Sequence, residues 1–376
     1  MEQLKLYDAV EESCFLERLN RFVMRLRNAE GQEFQAHIPN PGRMEEFCFK
    51  NQPFYVTAAQ NGKYPYKVIA TRYQGSYVFL DTIKVNRVFE ELLRRNQIPC
   101  FQNVKDIRRE VRVADSKFDF SFKQAGRPII TEIKSCTLCH NGLAMFPDAP
   151  TLRGQRHMTS LERIAEKGDV AAHLVYLVLH AAARRFIPNV HTDFDYGKIF
   201  LNAQHVRSHA FRLEFSGPAT AEPGSLQEIP IDFSALETHC RDKGSYLLLL
   251  ENPKALTIKV GRLGVRHFES GWYVYVGSAM NGLNSRLRRH QRKRKTLHWH
   301  IDYIASTAMK ITKIFPIRKA EKLESWLAGR LAEICDASVP QFGASDLPED
   351  SHLFYFRETP MKNRCFVDII FDSRVL

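Results

Sequence analysis

The stretch from Lys117 to Lys134 constrains this chain more than any other. Phe118, Phe120 and Phe122 alternate with Lys117, Asp119 and Ser121, the period of a half-buried strand. Gln124 to Pro128 carries a glycine and a proline and reads as a turn, after which Ile129 to Lys134 returns as a second strand. Folding the arms about the Ala125–Gly126 bond sets Asp119 opposite Glu132. Like charges at such a position, roughly 4.5–5.5 Å apart at Cβ, repel. A divalent cation between them reverses the penalty, because Mg2+ takes carboxylate oxygens and keeps waters for phosphate chemistry. Lys134 lies two residues beyond Glu132 and shares its face. Two carboxylates for a metal and a lysine for a water and a phosphate oxygen are the components of phosphodiester hydrolysis. The plainer alternative is a hairpin with ordinary charges on its wet face, since such spacing arises easily in a chain that is 26% charged.

The partner class follows from charge. Lys and Arg number 54 against 42 Asp and Glu, for a net charge of +12. This excess points to a polyanion, with nucleic acid ahead of an anionic membrane. The 376 residues leave room for two or three domains, and 44% hydrophobic content describes a globular chain. Residues 1–16 include Glu2, Asp8, Glu11 and Glu12 and hold no apolar core of a signal peptide. The longest apolar run, Leu174 to Leu179, is too short to span a bilayer. The expectation is a cytoplasmic chain with reduced thiols and no membrane partner. Cys136, Cys139 and His140 have the spacing of haem attachment, but that chemistry needs export, and no second cysteine pair stands nearby for zinc. No haem is expected.

Residues 1–80 read as short strands around turns, suggesting a small barrel. Phe22, Met24 and Leu26 alternate with Arg21, Arg25 and Arg27, and the turn-rich loop Ala36 to Met44 presents His37, Asn40 and Arg43. A helix is expected over Asn86–Asn96, a strand near Glu110–Val113, a loop over Cys136–Pro150 and a helix over Thr151–Lys167. On that last helix Arg153 and His157 share a face. A buried strand follows from Ala171. Pro218 to Gly224 looks like a linker, and Gly244 opens a new strand set, which puts a boundary near residue 235.

Beyond the boundary, Tyr273 and Tyr275 fall on one strand face before Gly277, where a backbone or phosphate can approach. Arg286 and His290 are stacked one helical turn apart. Seven Lys and Arg lie between Arg286 and Lys295 with no acid, including Arg288, Arg289, Arg292 and Lys293, a plausible phosphate footprint. A helix is expected over Lys319–Ile334, with Glu324 on its flank.

Residues 1 to about 235 resemble the sugar fermentation stimulation protein A (SfsA) family. The likeness rests on four stretches: Ala36–Met44, Ser116–Phe120 around Asp119, Glu132–Ser135 and Phe146–His157. Residues from about 240 onward resemble GIY-YIG nuclease domains, through Gly244-Ser245-Tyr246, Tyr275-Val276-Gly277 and the His298–Asp302 stretch. The 28 residues between Tyr246 and Tyr275 exceed the usual spacing of that family, and Leu347 stands where its relatives often have cysteine.

The resemblance implies an α/β and α+β multidomain chain: an OB-like β-barrel over 1–80, a PD-(D/E)XK restriction-endonuclease-like domain over 81–234 and a GIY-YIG-like domain over 235–376. Carried over, Asp119 and Glu132 are metal ligands for Mg2+ or Mn2+, and Lys134 orients water. Glu91 is a further acid on the first helix, and Arg153 and His157 face phosphate. Tyr246, Tyr275, Arg286, His290 and Glu324 form the second catalytic set, with Glu324 as its metal ligand. In that set a tyrosine or a metal-bound hydroxide activates water, and His290 protonates the leaving oxygen. Two functional readings stand: a metal-dependent DNA nuclease built from two phosphodiesterase folds, and a DNA-binding regulator of sugar metabolism genes that uses the same folds as grips.

Both readings predict DNA affinity carried by phosphate contacts. Binding titrated against salt should fall with a slope of several released counterions and depend little on base sequence. A flat salt response removes the electrostatic argument.

Overall fold

The computed structural model describes residues 2–60, 62–113, 115–307, 309–343 and 351–375. Leu347 lies outside the described residues. The chain divides into two compact units, residues 1–236 and 237–376.

The first unit opens with a barrel whose neighbours run in the order Glu33–His37, Val23–Arg27, Glu11–Asn20, Pro53–Ala58, Tyr66–Tyr73 and Ser76–Phe79. Parallel pairing of Ala36 with Tyr66 and of His37 with Lys67 closes it, so no long edge is left unpaired. Its interior holds Phe15, Met24, Leu26, Ala36, Ile38, Phe47, Phe54, Val56 and Val68. Met24 and Leu26 point inward as their alternation requires. Phe22 does not: it sits in the turn before the strand and is 46% exposed.

Around the hairpin the unit builds a six-stranded sheet in the order Gln227–Glu228, Arg207–Arg212, Ala171–Val178, Arg127–Cys136, Ser116–Gln124 and Lys105–Val113. The three strands 127–136, 171–178 and 207–212 are mutually parallel. Ala125 and Gly126 both take positive φ, at 49° and 80°, the two-residue turn whose twist matches antiparallel strands. The expected register holds from Arg127 opposite Gln124 to Thr131 opposite Phe120. There the ladder stops. Asp119 and Glu132 are not a directly opposed pair, because Asp119 Oδ2 accepts the Ile133 N–H at 2.8 Å in place of a ladder carbonyl.

Helix Val85–Arg94 buries Val88, Phe89, Leu92 and Leu93 against Phe120, Phe122, Ile129, Ile133 and Val175. Successive strand residues alternate faces, so Glu132 and Lys134 point to the side opposite Ile133. Helix Leu152–Glu166 covers that side, started by Thr151 Oγ1 accepting from the Gly154 N–H at 3.0 Å. The expected loop over residues 136–150 contains strands Cys139–His140 and Leu143–Phe146, held by Arg185–Pro188. The linker-like run is also ordered: Thr220–Ala221 is the middle strand of a small antiparallel sheet, between Leu4–Lys5 and Phe215–Gly217.

The second unit is an antiparallel sheet in the order Lys310–Ile317, Gly244–Asn252, Gly271–Ala279, Leu353–Phe356 and Ala337–Ser338. A two-stranded hairpin, Leu256–Lys259 with Val265–Phe268, takes up the long interval between Tyr246 and Tyr275. Helices Leu283–Gln291, His300–Ala305, Glu324–Ala332 and Arg364–Val375 complete it. The helix expected from Lys319 begins five residues later, at Glu324, where Leu323 N donates to Ser245 Oγ at 2.9 Å.

Gly244 is held at φ +142°, and a Cβ there would lie 2.1 Å from the Ile317 carbonyl oxygen. Gly244→Ala should destabilise the second unit by roughly 2–4 kcal/mol. All three tryptophans, Trp272, Trp299 and Trp326, lie in this unit, so their fluorescence in a denaturant titration checks it directly. An unshifted transition would mean that the two strands do not approach so closely.

Candidate metal centre and nucleic-acid cleft

The hairpin, the start of helix Val85–Arg94 and the loops at Asn40–Gly42 and Met145–Thr151 enclose a cleft of about 330 Å³. Asp119, Glu132 and Lys134 line it together with Asn86, Thr137 and Arg153. Asp119 accepts from Asn86 Nδ2 as well as from the Ile133 N–H, both at 2.8 Å. Glu132 is 4% exposed, and its Oε1 takes Lys134 Nζ at 2.6 Å and His157 Nδ1 at 2.5 Å. Its Oε2 is buried and has no hydrogen-bond partner among the described residues.

These contacts set the charges. Burial, then the neighbouring Glu132 charge, push the Asp119 carboxyl above its usual range, only partly offset by its two hydrogen bonds. Glu132 suffers the same burial, but Lys134 and His157 outweigh it and hold the carboxyl below its usual value. The result is an ionised glutamate with one free, desolvated oxygen beside a carboxyl that is penalised for being charged. An unpartnered buried carboxylate oxygen costs about 1–3 kcal/mol or more. A divalent cation fits this donor set, since it would take the orphan oxygen of Glu132 and remove the charge penalty on Asp119.

The loops at the mouth are tied by Asp148. Its Oδ2 accepts the Met44 N–H at 2.7 Å, and a Cβ on Gly42 would sit 2.7 Å from the same oxygen. Asn40 is buried in the turn, where its Oδ1 accepts the Gly42 N–H at 2.8 Å. Asn40 and Arg153 therefore border the cleft. His157 is buried against Glu132 rather than directed outward at phosphate. His37 lines a different cavity of the barrel. Glu91 forms an ion pair with Arg95 at 3.6 Å and does not line the cleft. In its place helix Val85–Arg94 offers Asn86, which sequence reasoning missed because an amide carries no metal signature. Asp148 was missed as well, inside a stretch singled out only for its family likeness.

In the second unit Tyr246, Tyr275, Arg286, His290 and Glu324 come together. Tyr246 lies in register with Gly277, and a Cβ there would come within 2.5 Å of the tyrosine hydroxyl, so this position admits no side chain. The Tyr246 hydroxyl and His290 Nε2 are 2.8 Å apart, and the Tyr246 and Tyr275 rings are 6.4 Å apart. Arg286 stacks on Trp299 with its guanidinium carbon 3.9 Å from the ring centroid. Burial drives both tyrosine hydroxyls above their usual value, and Arg286 offsets this only in part. That upward shift works against the tyrosine half of the expected pair of water activators, tyrosine or metal-bound hydroxide. Glu324 is nearly buried and pairs with Lys322 at 2.8 Å, so a cation there must compete with an ammonium.

The basic run is divided. Arg288, Arg292 and Lys293 are exposed. Arg289 is spent on Asp302, with both guanidinium contacts at 2.8 Å, and Lys295 reaches the same carboxylate at 3.4 Å. These two cations build the fold around Asp302, whose carboxyl is held low despite its burial, chiefly by the Arg289 hydrogen bond.

Three family models match. Residues 16–80 match the SfsA N-terminal OB domain, residues 84–218 the sugar fermentation stimulation protein RE domain, and residues 245–374 a domain of unknown function, DUF123. A sugar fermentation stimulation protein homolog of Desulforamulus reducens is 36% identical over 184 residues, covering 48% of this chain and 76% of the relative. A homolog of Aquifex aeolicus is 35% identical over 188 residues, covering 50% and 82%. The solved structure of Pyrococcus furiosus SfsA in complex with Ca2+ superposes with a TM-score of 0.55 at 28% identity, covering 61% of this chain and 99% of that one.

Burial, reinforced by the charge of Lys295, pushes the His290 imidazole down to about 3, which makes it a neutral partner of Tyr246. Ring nitrogen shifts should therefore show no titration of His290 between about pH 5 and pH 8. The sign for stability follows. The unfolded histidine, near 6.5, takes the proton first, so its contribution is complete above that value and is lost as pH falls towards about 3. The loss runs at about 1.4 kcal/mol per pH unit. A His290 signal titrating near pH 6.5 would contradict this.

Proposed function

The chain belongs to the sugar fermentation stimulation protein family, and from that premise we propose that its central cleft is a divalent-cation-dependent phosphodiesterase site acting on DNA. The observation that carries this is the buried, unpartnered Glu132 Oε2 beside Asp119 and Lys134. A purely structural hairpin gains nothing from a desolvated carboxylate oxygen with no hydrogen bond. The Ca2+ held by the Pyrococcus furiosus relative supports a cation here.

Asp119 and Glu132 would hold the ion, which when bound supplies positive charge to the phosphate and an acidified water. Lys134, fixed against Glu132, places an ammonium where a phosphate oxygen and the attacking water meet. His157 meets the same Oε1 of Glu132 as Lys134 does, which leaves Oε2 for the ion. Asn86 holds Asp119 by donating to its Oδ1. Arg153 at the cleft wall attracts the DNA backbone. Mg2+ or Mn2+ suits this chemistry, because two carboxylates leave room for several waters.

For the second unit we read the cluster of Tyr246, Tyr275, Arg286, His290 and Glu324 as a second phosphate-binding site of GIY-YIG type. Arg286, braced on Trp299, meets a phosphate oxygen, and exposed Arg288, Arg292 and Lys293 add backbone grip. Glu324 is paired with Lys322 as Glu132 is with Lys134, so an ion entering either site meets an ammonium. The alternative of a non-catalytic DNA-binding regulator differs from the main reading at one point, turnover.

Asp119→Asn and Glu132→Gln, in a chain that also carries Arg286→Ala, should abolish Mg2+- or Mn2+-dependent strand breakage and leave DNA affinity unchanged or higher. Lys134→Ala should slow breakage by roughly a hundredfold or more with cation binding retained. Gel assays on linear and branched DNA, with calorimetry for the cation, check both. Full breakage by the Asp119→Asn chain would refute the site, and no breakage by the unmodified chain on any DNA form would leave the regulator.

A further inference from the structure

A second cavity of the first unit has no part in the site described. It measures about 850 Å³ and is lined by Leu6 to Ala9 of the amino-terminal arm, by Thr57 to Gln60, Lys63 and Tyr64 of the barrel, and by His37, Lys67 and Lys84. Its chemistry is basic and aromatic. Lys67 Nζ lies 4.6 Å and Lys84 Nζ 5.1 Å from the Tyr7 ring centroid, and Lys63 Nζ 5.6 Å from that of Tyr64. Lys67 is neutralised by buried Asp81 at 2.9 Å, and Asp8 is exposed and paired with Lys5 at 3.3 Å. Among the described residues, Lys63 and Lys84 make no ion pair. They offer two uncompensated cations to whatever enters.

The groove adjoins the central cleft. The segment Thr82–Asn86 turns Lys84 to the groove and Thr82, Val85 and Asn86 to the cleft. Similarly His37 lines the groove, and Asn40, Pro41 and Gly42 line the cleft. Thr82 Oγ1 donates to the Pro39 carbonyl at 2.9 Å and ties the two walls together. Lys84 of the groove and Asn86 of the cleft are thus two residues apart on one segment.

We infer that this groove binds an unpaired strand of nucleic acid continuous with the strand in the central cleft, so that the preferred substrate carries a single-stranded tail. A cavity of this volume holds a few nucleotides of one strand and not a duplex. Lysines along the wall meet the phosphates, and Tyr64, half-exposed at the rim, offers a face for a base, the combination by which proteins hold single strands without reading sequence. The inference rests on the nuclease reading only for the path of the strand; binding itself is measured without a metal.

The experiment uses the full chain, a chelator, and labelled oligonucleotides: a single strand, a blunt duplex and a duplex with a single-stranded tail. The variants are Lys63→Glu with Lys84→Glu, and separately Tyr64→Ala, each checked by thermal melting. The unmodified chain should bind the tailed duplex more tightly than the blunt one. The double charge reversal should weaken single-strand and tailed-duplex binding by roughly tenfold or more and lower the single-strand salt slope by about 1.4, with blunt-duplex affinity held within about twofold. Tyr64→Ala should weaken the single strand by about tenfold, the effect of one lost base stack. Equal losses on blunt and tailed DNA, or no loss, overturn the inference. A mononucleotide competing as well as the oligonucleotide also overturns it, in favour of a small-anion site. If the unmodified chain breaks no DNA in Mg2+ or Mn2+, the nuclease reading fails alone and the tail preference still stands or falls on these affinities.

Discussion

The hydrogen bond from the Ile133 amide to the Asp119 carboxylate organises the first unit. In a regular hairpin that amide would meet a backbone carbonyl, and the ladder would continue to the strand ends. Here a side chain takes the place of the carbonyl at 2.8 Å, and the ladder stops at Thr131. Two consequences follow. Strand Arg127–Cys136 is released from Ser116–Gln124 beyond that point and remains paired in parallel with Ala171–Val178. The Asp119 carboxylate is also pinned beside Glu132, where burial and charge repulsion both oppose its ionisation.

The cost is held in place by neighbours. Lys134 and His157 keep Glu132 ionised through its Oε1, and Asn86 donates to the Asp119 carboxylate. Helix Leu152–Glu166 can bring His157 there because Thr151 caps its start and Met158 and Leu161 anchor its inner face. Asp148 then ties the barrel loop to the same cleft. Folding free energy is thus spent on arranging polar groups that a simple core would leave out, as sites poised for a ligand do.

The second unit solves a similar problem with packing rather than charge. The end of the Tyr246 ring occupies the space that a Cβ on Gly277 would need, and its hydroxyl reaches His290. Trp299 fixes Arg286 and Arg289 by its two guanidinium contacts, and Asp302 absorbs the excess charge of Arg289 and Lys295. A run of basic residues is therefore partly a scaffold and partly a surface.

The sequence by itself determined a good deal. The two-residue turn at Ala125–Gly126 and the alternation of Phe118, Phe120 and Phe122 set the hairpin and its register, because turn geometry and side-chain period are local. The division near residue 235 was legible from a new strand set, and four short stretches marked the family. What only the tertiary structure decided is which polar groups meet. Asn86 and Asp119 are 33 residues apart, Glu132 and His157 are 25 apart, and Met44 and Asp148 are 104 apart. No periodicity encodes such contacts, since they depend on where a helix lands on a sheet. The same holds for charge: Arg288 and Arg289 are neighbours in the chain, yet one faces solvent and the other is consumed by Asp302, because only the fold brings that carboxylate within reach.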